Sequence, residues 1–249
     1  MKSRHISWEV TGSTGVLTLG PPPGNLLAEP EFVPLDLLQK WTSAPGLKGI
    51  VIHGSGRHFS SGADLERLYT HIRSGKDLAE MMNSGKRVLN HIENLGLPVM
   101  AAISGTCFGG GLEIALAANI RICAENALFA FPETGHHLLP GLGGTVRLPH
   151  LIRASSAMQM ILHGDVVNAE EALSLGLVDR IVPKKELLQY SLSLMGKMTA
   201  TRPVEVVRAV MTALKNADTL SREDAMKEET RLFCELALRE AQRRKTEEE

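Results

Sequence analysis

Two short apolar runs constrain the fold more than any other feature of this chain. GLKGIVIHG (46–54) and PVMAAISG (98–105) are rich in small and β-branched residues. Such runs are typical of parallel strands that are covered by other elements on both faces. The segment between them, LAEMMNSGKRVLNHIENLG (78–96), has the spacing of an amphipathic helix. The alternation of buried strand, helix and buried strand predicts an α/β fold.

The residues before the second apolar run supply further elements. WEVTGSTGVLTLG (8–20) contains two β-prone pieces around Gly12 to Gly15 and predicts a hairpin. Leu35, Leu38 and Trp41 have helical spacing, which predicts a helix within Glu29 to Thr42. In FSSGADLERLYTHIRSGKDL (59–78), Gly62 allows a strand to turn sharply, and we expect a polar, mobile loop after it.

Three successive glycines stand at the start of the next strand and helix, in TCFGGGLEIALAANIRICAENALFAFPE (106–133). Each glycine costs about 1 kcal/mol against alanine in a helix interior, so helix propensity does not explain them. A close approach of the backbone to another group does explain them. We expect the helix to begin at the last of the three, Gly111.

The chain becomes mainly helical after Val166. Asn168 stands at a helix start with Glu171 three residues later, which is the spacing of a capping box. Nearly all the remaining sequence to Glu249 has helical character. We therefore predict a boundary near Pro183, between a core of residues 1–182 and a helical region of residues 183–249.

The overall composition argues against several classes of protein. A net charge of −1 gives no electrostatic basis for nucleic acid or an anionic membrane as the main partner. No run reaches the about 20 apolar residues of a membrane span, and the first residues lack the apolar core of a signal peptide. Cys107, Cys123 and Cys234 are scattered without metal-ligand spacing, which predicts reduced thiols in a cytoplasmic protein and no metal site.

The segment FPETGHHLLPGLGG (131–144) has the composition of a site wall. It places the carboxylate of Glu133 between apolar residues on one side and two histidines, a proline and four glycines on the other. Glu133 could be a turn residue after Pro132, but its apolar neighbours favour a pocket. His136 and His137 could each be a hydrogen-bonded structural residue, and no further residue at ligand spacing supports a zinc site.

Four segments in this order and spacing resemble the enoyl-CoA hydratase/isomerase (crotonase) superfamily. They are FSSGADL, GTCFGGGLEIALAANIRICAENALFAFPE, PGLGGTVRLPHLI and NAEEALSLGLVDRIV. The match to the family covers about the whole chain up to Val182. The resemblance implies a spiral of ββα turns for the core, an acyl-CoA substrate, and a C-terminal helical region used for oligomerisation. A homo-oligomer, either a trimer or a dimer of trimers, is the assembly that the resemblance implies.

The resemblance also implies roles for individual residues. The N–H groups of Ala63 and Gly110 would form an oxyanion hole for the thioester oxygen. Glu113 would activate water for attack at Cβ, and Glu133 would exchange the proton at Cα. Further substrate-binding positions implied by the motifs are Ser61, Gly62, Asp64, Leu65, Gly109, Pro132, His137, Pro140 and Gly141. No metal or redox cofactor is expected, and coenzyme A enters as part of the substrate thioester.

Having glutamate at both positions favours hydration of a 2-enoyl-CoA, with a place in fatty acid metabolism. Three alternatives stay open: an enoyl-CoA isomerase or decarboxylase on the same scaffold, a C–C bond hydrolase using His136 or His137, and a non-catalytic acyl-CoA-binding relative. Glycine is common in the family where His137 stands. We interpret this imidazole as a wall that shortens or redirects the acyl tunnel.

Overall fold

The larger sheet of the computed structural model, which describes residues 6–248, has six strands. They are β1 (Ile6–Thr11), β2 (Thr14–Leu19), β3 (Gly49–Gly54), β4 (Val99–Ile103), β6 (Ile120–Ala124) and β9 (Arg180–Val182), and the spatial order is β1-β2-β3-β4-β6-β9. β1 and β2 form the predicted antiparallel hairpin. All later neighbours in this sheet pair in parallel, as the two apolar runs predict.

The smaller sheet contains β5 (Thr106–Phe108), β7 (Leu128–Ala130) and β8 (Val167–Asn168) in that order. Parallel bridges between Ser60 and Cys107 and between Leu27 and Ala63 continue the same layer toward the N-terminus. Successive turns of the chain therefore place one segment in each layer before a helix follows. This repetition confirms the predicted α/β class and the ββα spiral.

Ten α-helices surround and extend the two sheets within the described residues. They are α1 (Leu35–Thr42), α2 (Leu65–Arg73), α3 (Leu78–Glu93), α4 (Gly110–Leu116), α5 (Gly144–Leu151), α6 (Ala154–His163), α7 (Ala169–Leu175), α8 (Leu187–Thr199), α9 (Val204–Thr219) and α10 (Arg222–Glu248). Two short 3₁₀ helices lie at Pro132–His136 and Lys184–Glu186.

Two local expectations differ from the structure. The loop expected after Gly62 is wrong, because α2 follows and the Asp64 side chain accepts a hydrogen bond from the Arg67 N–H at its start. The helix predicted within Glu29 to Thr42 is present as α1, which begins at Leu35 after Pro34 at the N-cap position. α4 begins at Gly110, one residue earlier than expected.

The capping box at α7 is confirmed. The Asn168 side chain accepts from the Glu171 N–H at 3.0 Å, and the Glu171 carboxylate accepts from the Asn168 N–H at 2.9 Å. Two donors at the helix start are thereby satisfied together.

The start of α4 is packed tightly against the preceding turn of the spiral. A Cβ added at Gly111 would lie 2.7 Å from both the Cβ and the carbonyl oxygen of Ser60. Only glycine permits this approach without displacing the neighbouring strand. The contact fixes the N-terminus of α4 relative to the Ser60–Ala63 segment, and both belong to the site described below.

The C-terminal helices pack in two different ways. α8 packs on the larger sheet, where its buried Met195 lies against Gly49 of β3. α9 and α10 pack mainly on each other.

The division of the chain near Pro183 stays a prediction. None of the helices within residues 6–248 is long and apolar enough to cross a membrane.

Candidate active site

A cavity of about 510 Å³ lies between α2, the start of α3, the start of α4 and the segment after the 3₁₀ helix at Pro132. Glu113 and Glu133 both line it, and so do Ala63 and Gly110. Residues that lie far apart in the sequence therefore meet at one cavity. Most of the remaining wall is aliphatic.

Glu113 is the more enclosed of the two carboxylates, with 2% of its surface exposed. Its Oε1 accepts two backbone hydrogen bonds, from the Leu142 N–H at 2.6 Å and from the Gly144 N–H at 2.7 Å. Gly143, the residue between them, has φ +106°, a left-handed conformation that suits glycine. The PGLGG segment thus forms a turn that directs two N–H groups at one carboxylate oxygen.

Burial raises the pKa of Glu113 from its ordinary value. The two N–H donors oppose this rise because they stabilise the ionised form, and the positive charges of Arg147 and Lys86 act in the same direction. Glu113 is therefore a buried carboxylate with dedicated partners for its charge.

Glu133 has a different environment. Its Oε2 is buried without a hydrogen-bond partner among the described residues. Burial raises the pKa of Glu133 to about 7, and the negative charge of Glu113 adds to the rise. Gly109 borders this carboxylate: a Cβ added there would lie 2.5 Å from Glu133 Oε1. At neutral pH, Glu133 can therefore both donate and accept a proton.

The N–H groups of Ala63 and Gly110 lie at the same end of the cavity. Leu27 bonds to the residues on either side of Ala63, with the Leu27 N–H donating to Gly62 O at 2.9 Å and the Asp64 N–H donating to Leu27 O at 3.0 Å. In such a parallel bridge the N–H of the middle residue points away from the partner segment. Within the described part of the chain, neither the Ala63 nor the Gly110 N–H donates a hydrogen bond.

Gly62 holds these two segments together. A Cβ added at Gly62 would lie 2.9 Å from Phe108 O and 3.7 Å from Gly110 N, and its φ is +93°. The backbone before Ala63 therefore runs directly beside the start of α4. Two free N–H groups on adjacent backbones can bind one oxygen that carries developing negative charge.

The other predicted substrate-binding positions fall into two groups. Asp64, Leu65, His137 and Gly141 line the cavity. The remaining ones, Ser61, Gly62, Gly109, Pro132 and Pro140, do not line it. Ser61 shares a 2.8 Å hydrogen bond with the Thr106 hydroxyl. Pro132 opens the 3₁₀ helix, and Pro140 is buried.

The two histidines differ in position. His137 lines the cavity with φ +59°, the left-handed conformation that explains why glycine fits this position. His136 is exposed, lies in the 3₁₀ helix and does not line the cavity. Only His137 can touch a molecule that occupies the cavity without a change of conformation.

Sequence reasoning predicted only Leu65 of the wall that α2 contributes. Leu65, Leu68, Tyr69 and Ile72 of α2 line the cavity, and their spacing of three, four and seven residues is that of one helix face. The same helical spacing is present in the sequence of residues 59–78, for which a loop was predicted. Leu78, Met81 and Met82 at the start of α3 complete an apolar surface opposite the carboxylates.

The Leu142 and Gly144 donors to Glu113 were missed as well, because backbone groups leave no residue-type signal. Within residues 6–248, no group of three or more His, Cys, Asp or Glu side chains is arranged to hold a metal ion.

The raised pKa of Glu133 predicts a pH-dependent contribution to stability. A carboxyl with a pKa of about 7 in the folded chain, against an ordinary 4.5, favours folding below pH 4.5, and this contribution is lost as pH rises through 7. Glu133→Gln removes the titration. Relative to wild type, we expect the variant to gain roughly 1–3 kcal/mol in free energy of unfolding between pH 4.5 and pH 8, measured by urea denaturation.

The matched control is Glu66→Gln, at an exposed glutamate of α2. Its effect on stability should stay within about 0.5 kcal/mol at both pH values. The cost of burying the amide introduced by Glu133→Gln is the same at both pH values and cancels from the comparison. A pH-independent effect of Glu133→Gln would contradict the assigned environment.

Comparison with known proteins agrees with the architecture. The family model described as enoyl-CoA hydratase/isomerase matches residues 28–247. A probable enoyl-CoA hydratase of Bacillus subtilis (strain 168) is 33% identical over 232 residues, covering 92% of this chain and 89% of the relative. The fatty acid oxidation complex subunit alpha of Shewanella loihica is 38% identical over 180 residues. That match covers 70% of this chain and 25% of the larger protein.

Solved structures show the same fold. The crystal structure of enoyl-CoA hydratase from Thermoplasma volcanium GSS1 superposes with a TM-score of 0.82 at 27% identity, covering 95% of this chain and 93% of that one. The family model spans most of the chain, and the spiral is shared with these relatives. The chain therefore belongs to the enoyl-CoA hydratase/isomerase family.

Proposed function

We propose that the chain is an enoyl-CoA hydratase that adds water across the double bond of a 2-enoyl-CoA to give a 3-hydroxyacyl-CoA. The observation that carries the proposal is the meeting of two glutamates in unlike environments with two free N–H groups at one cavity. Paired carboxylates in unlike environments suit combined acid and base chemistry. The family and its relative from B. subtilis support this assignment.

The proposed reaction begins with binding of the thioester oxygen by the N–H groups of Ala63 and Gly110. Attack at Cβ moves the electrons of the double bond toward the thioester and places negative charge on that oxygen. Removing one donor from a comparable oxyanion hole costs about 3–4 kcal/mol of transition-state stabilisation. The position of Gly110 at the N-terminus of α4 adds the partial positive charge of the helix.

The two carboxylates then divide the proton transfers. Ionised Glu113 takes a proton from water as the water oxygen bonds to Cβ. Protonated Glu133 gives its proton to Cα. Glu113 ends protonated and Glu133 ionised, and exchange with solvent restores the starting state. The assignment follows the environments, since Glu113 has two N–H partners for its charge and Glu133 Oε2 has none within residues 6–248.

The cavity also supports the proposed substrate class. The aliphatic face formed by α2 and α3 suits a hydrocarbon acyl chain. Coenzyme A serves as part of the substrate, and the proton transfers use the two glutamates without a metal or redox cofactor. We also propose a cytoplasmic location, supported by the free thiols of Cys107, Cys123 and Cys234.

The first functional prediction concerns the two glutamates. Wild-type protein should hydrate at least one of a set of short, medium and branched 2-enoyl-CoAs, followed by loss of the conjugated thioester absorbance. Glu113→Gln should lower kcat by about 10²–10⁴-fold, the usual effect of losing a general base, and should leave measurable exchange with solvent of the Cα protons of a saturated acyl-CoA. Glu133→Gln should abolish both reactions.

Exchange at Cα is the discriminating measurement. It requires only Glu133 and the two N–H donors, so it separates the two roles within one site. Turnover of none of the enoyl-CoAs would refute the hydratase proposal. Double-bond migration without hydration would instead identify an isomerase, and equal residual hydration in both variants would show that the roles are misassigned.

The second functional prediction tests whether a histidine carries the chemistry. His137→Gly should keep kcat on the best short substrate within a few-fold and widen the range of acyl chains accepted, because glycine fits φ +59° and the carboxylates stay in place. His136→Ala should leave both properties unchanged. A loss of about 10²–10⁴-fold in either variant would favour C–C bond hydrolysis with a histidine base.

The third functional prediction is the assembly. We propose a homo-oligomer, a trimer or a dimer of trimers, formed through the C-terminal helices. α9 and α10 carry exposed apolar side chains, including Leu214, Phe233, which is 71% exposed, and Leu238. Sedimentation velocity at micromolar concentration should show three or six chains, and a stable monomer would contradict the proposal.

A further inference from the structure

Arg147 of α5 lies beside the turn that holds Glu113. Its guanidinium donates to three groups on two elements. Nε and Nη2 donate to the two Glu93 carboxylate oxygens at 2.7 and 2.8 Å, and Nη2 also donates to Asn90 Oδ1 at 3.0 Å. Nη1 donates to Leu142 O at 2.7 Å. The Arg147 side chain is only 12% exposed, so this is an ordered network and not a solvated ion pair.

Leu142 connects this network to the catalytic carboxylate. Its carbonyl accepts from Arg147, while its N–H donates to Glu113 Oε1 at 2.6 Å. Fixing the two hydrogen-bonding groups of one residue fixes the orientation of that residue. Arg147 therefore links α3, through Glu93, to the donor that orients Glu113.

Gly143 makes the close approach possible. A Cβ added there would collide with Arg147 Nη1. The Arg147 N–H also donates to Gly143 O at 2.9 Å in the first turn of α5. The turn from Leu142 to Gly144 is thus held by Arg147 on one side and by Glu113 on the other, and only a residue without a side chain fits between them.

We propose that Arg147 is a positioning residue for Glu113. It holds the turn from Leu142 to Gly144 against α3, so that the N–H groups of Leu142 and Gly144 fix the carboxylate that takes a proton from the attacking water. This inference rests on the proposed hydratase function for its kinetic consequence, although the positioning itself concerns the free protein. Arg147 does not line the cavity that contains the two glutamates.

A purely structural role for the ion pair is the competing interpretation. Loss of a structural pair would lower stability and reduce the amount of active protein, but it would not move the titration of Glu113. The charged groups that act on Glu113 are Glu133 from the 3₁₀ helix, Lys86 from α3 and Arg147 itself. Loss of Arg147 removes a nearby positive charge and loosens two N–H donors, and both changes disfavour the ionised carboxylate.

The test compares Arg147→Met and Arg147→Lys with Arg87→Met. Arg87 pairs with Glu80 on the exposed face of α3, so it is a matched arginine outside the site. We expect Arg147→Met to lower kcat about 10–100-fold with KM within twofold, and to move the acid limb of the pH profile upward. Arg147→Lys keeps the positive charge but lacks the planar, forked set of N–H donors of the guanidinium. We therefore expect its loss of kcat to be smaller than that of Arg147→Met. Arg87→Met should match wild type.

A substrate-free measurement separates this inference from the proposed function. Carbon-13 NMR of glutamate-labelled protein, assigned with Glu113→Gln, should show the Glu113 titration moved to higher pH in Arg147→Met. If wild type hydrates none of the enoyl-CoAs but this shift occurs, the hydratase proposal fails and the positioning role stands. If Arg147→Met does not fold, the Glu113 titration in Arg147→Lys, measured in the same way, tests the positioning role. Unchanged Glu113 titration in a folded Arg147 variant would overturn the inference.

Discussion

The hydrogen bonding of the buried Glu113 carboxylate is the interaction on which the site depends. A nearly inaccessible charge is costly unless it has partners, and here two N–H groups from one turn provide them. This requirement explains the composition of PGLGG, since the turn must carry two donors to one atom around a left-handed glycine. The position of α5 follows from the same requirement, because α5 begins where the turn ends.

The second carboxylate gains its properties from a lack of partners. Glu133 lies at the same cavity, but burial without a hydrogen bond at Oε2 raises its pKa to about 7. Two residues of the same type are thereby made chemically different by the backbone around them. One turn of chain donates two hydrogen bonds to Glu113, whereas Oε2 of Glu133 has no partner among the described residues.

The sequence predicted the parallel strands, the hairpin and the capping box because these depend on local patterns of apolar and polar residues. The resemblance implied that Glu113, Glu133, Ala63 and Gly110 act together, and the structure brings all four to one cavity. α2 was not predicted, because Gly62 and the polar residues after it favoured a loop over the helical spacing of Leu65, Leu68 and Ile72. The links among Glu93, Arg147 and Leu142 could not be predicted, since they join separate elements and one partner is a backbone carbonyl.

Gly109, Gly110 and Gly111 each adjoin a different part of the molecule. Added Cβ atoms would meet Glu133 Oε1 at the first position, the Leu27 side chain at 3.0 Å at the second, and Ser60 at the third. A side chain at each of these three consecutive positions would therefore meet a different neighbour. The aliphatic face of α2 has no such restriction, since its side chains border open space. Side chains on α2 can therefore be exchanged to change the shape of the cavity while the glycine tripeptide and the carboxylates beside it stay in place.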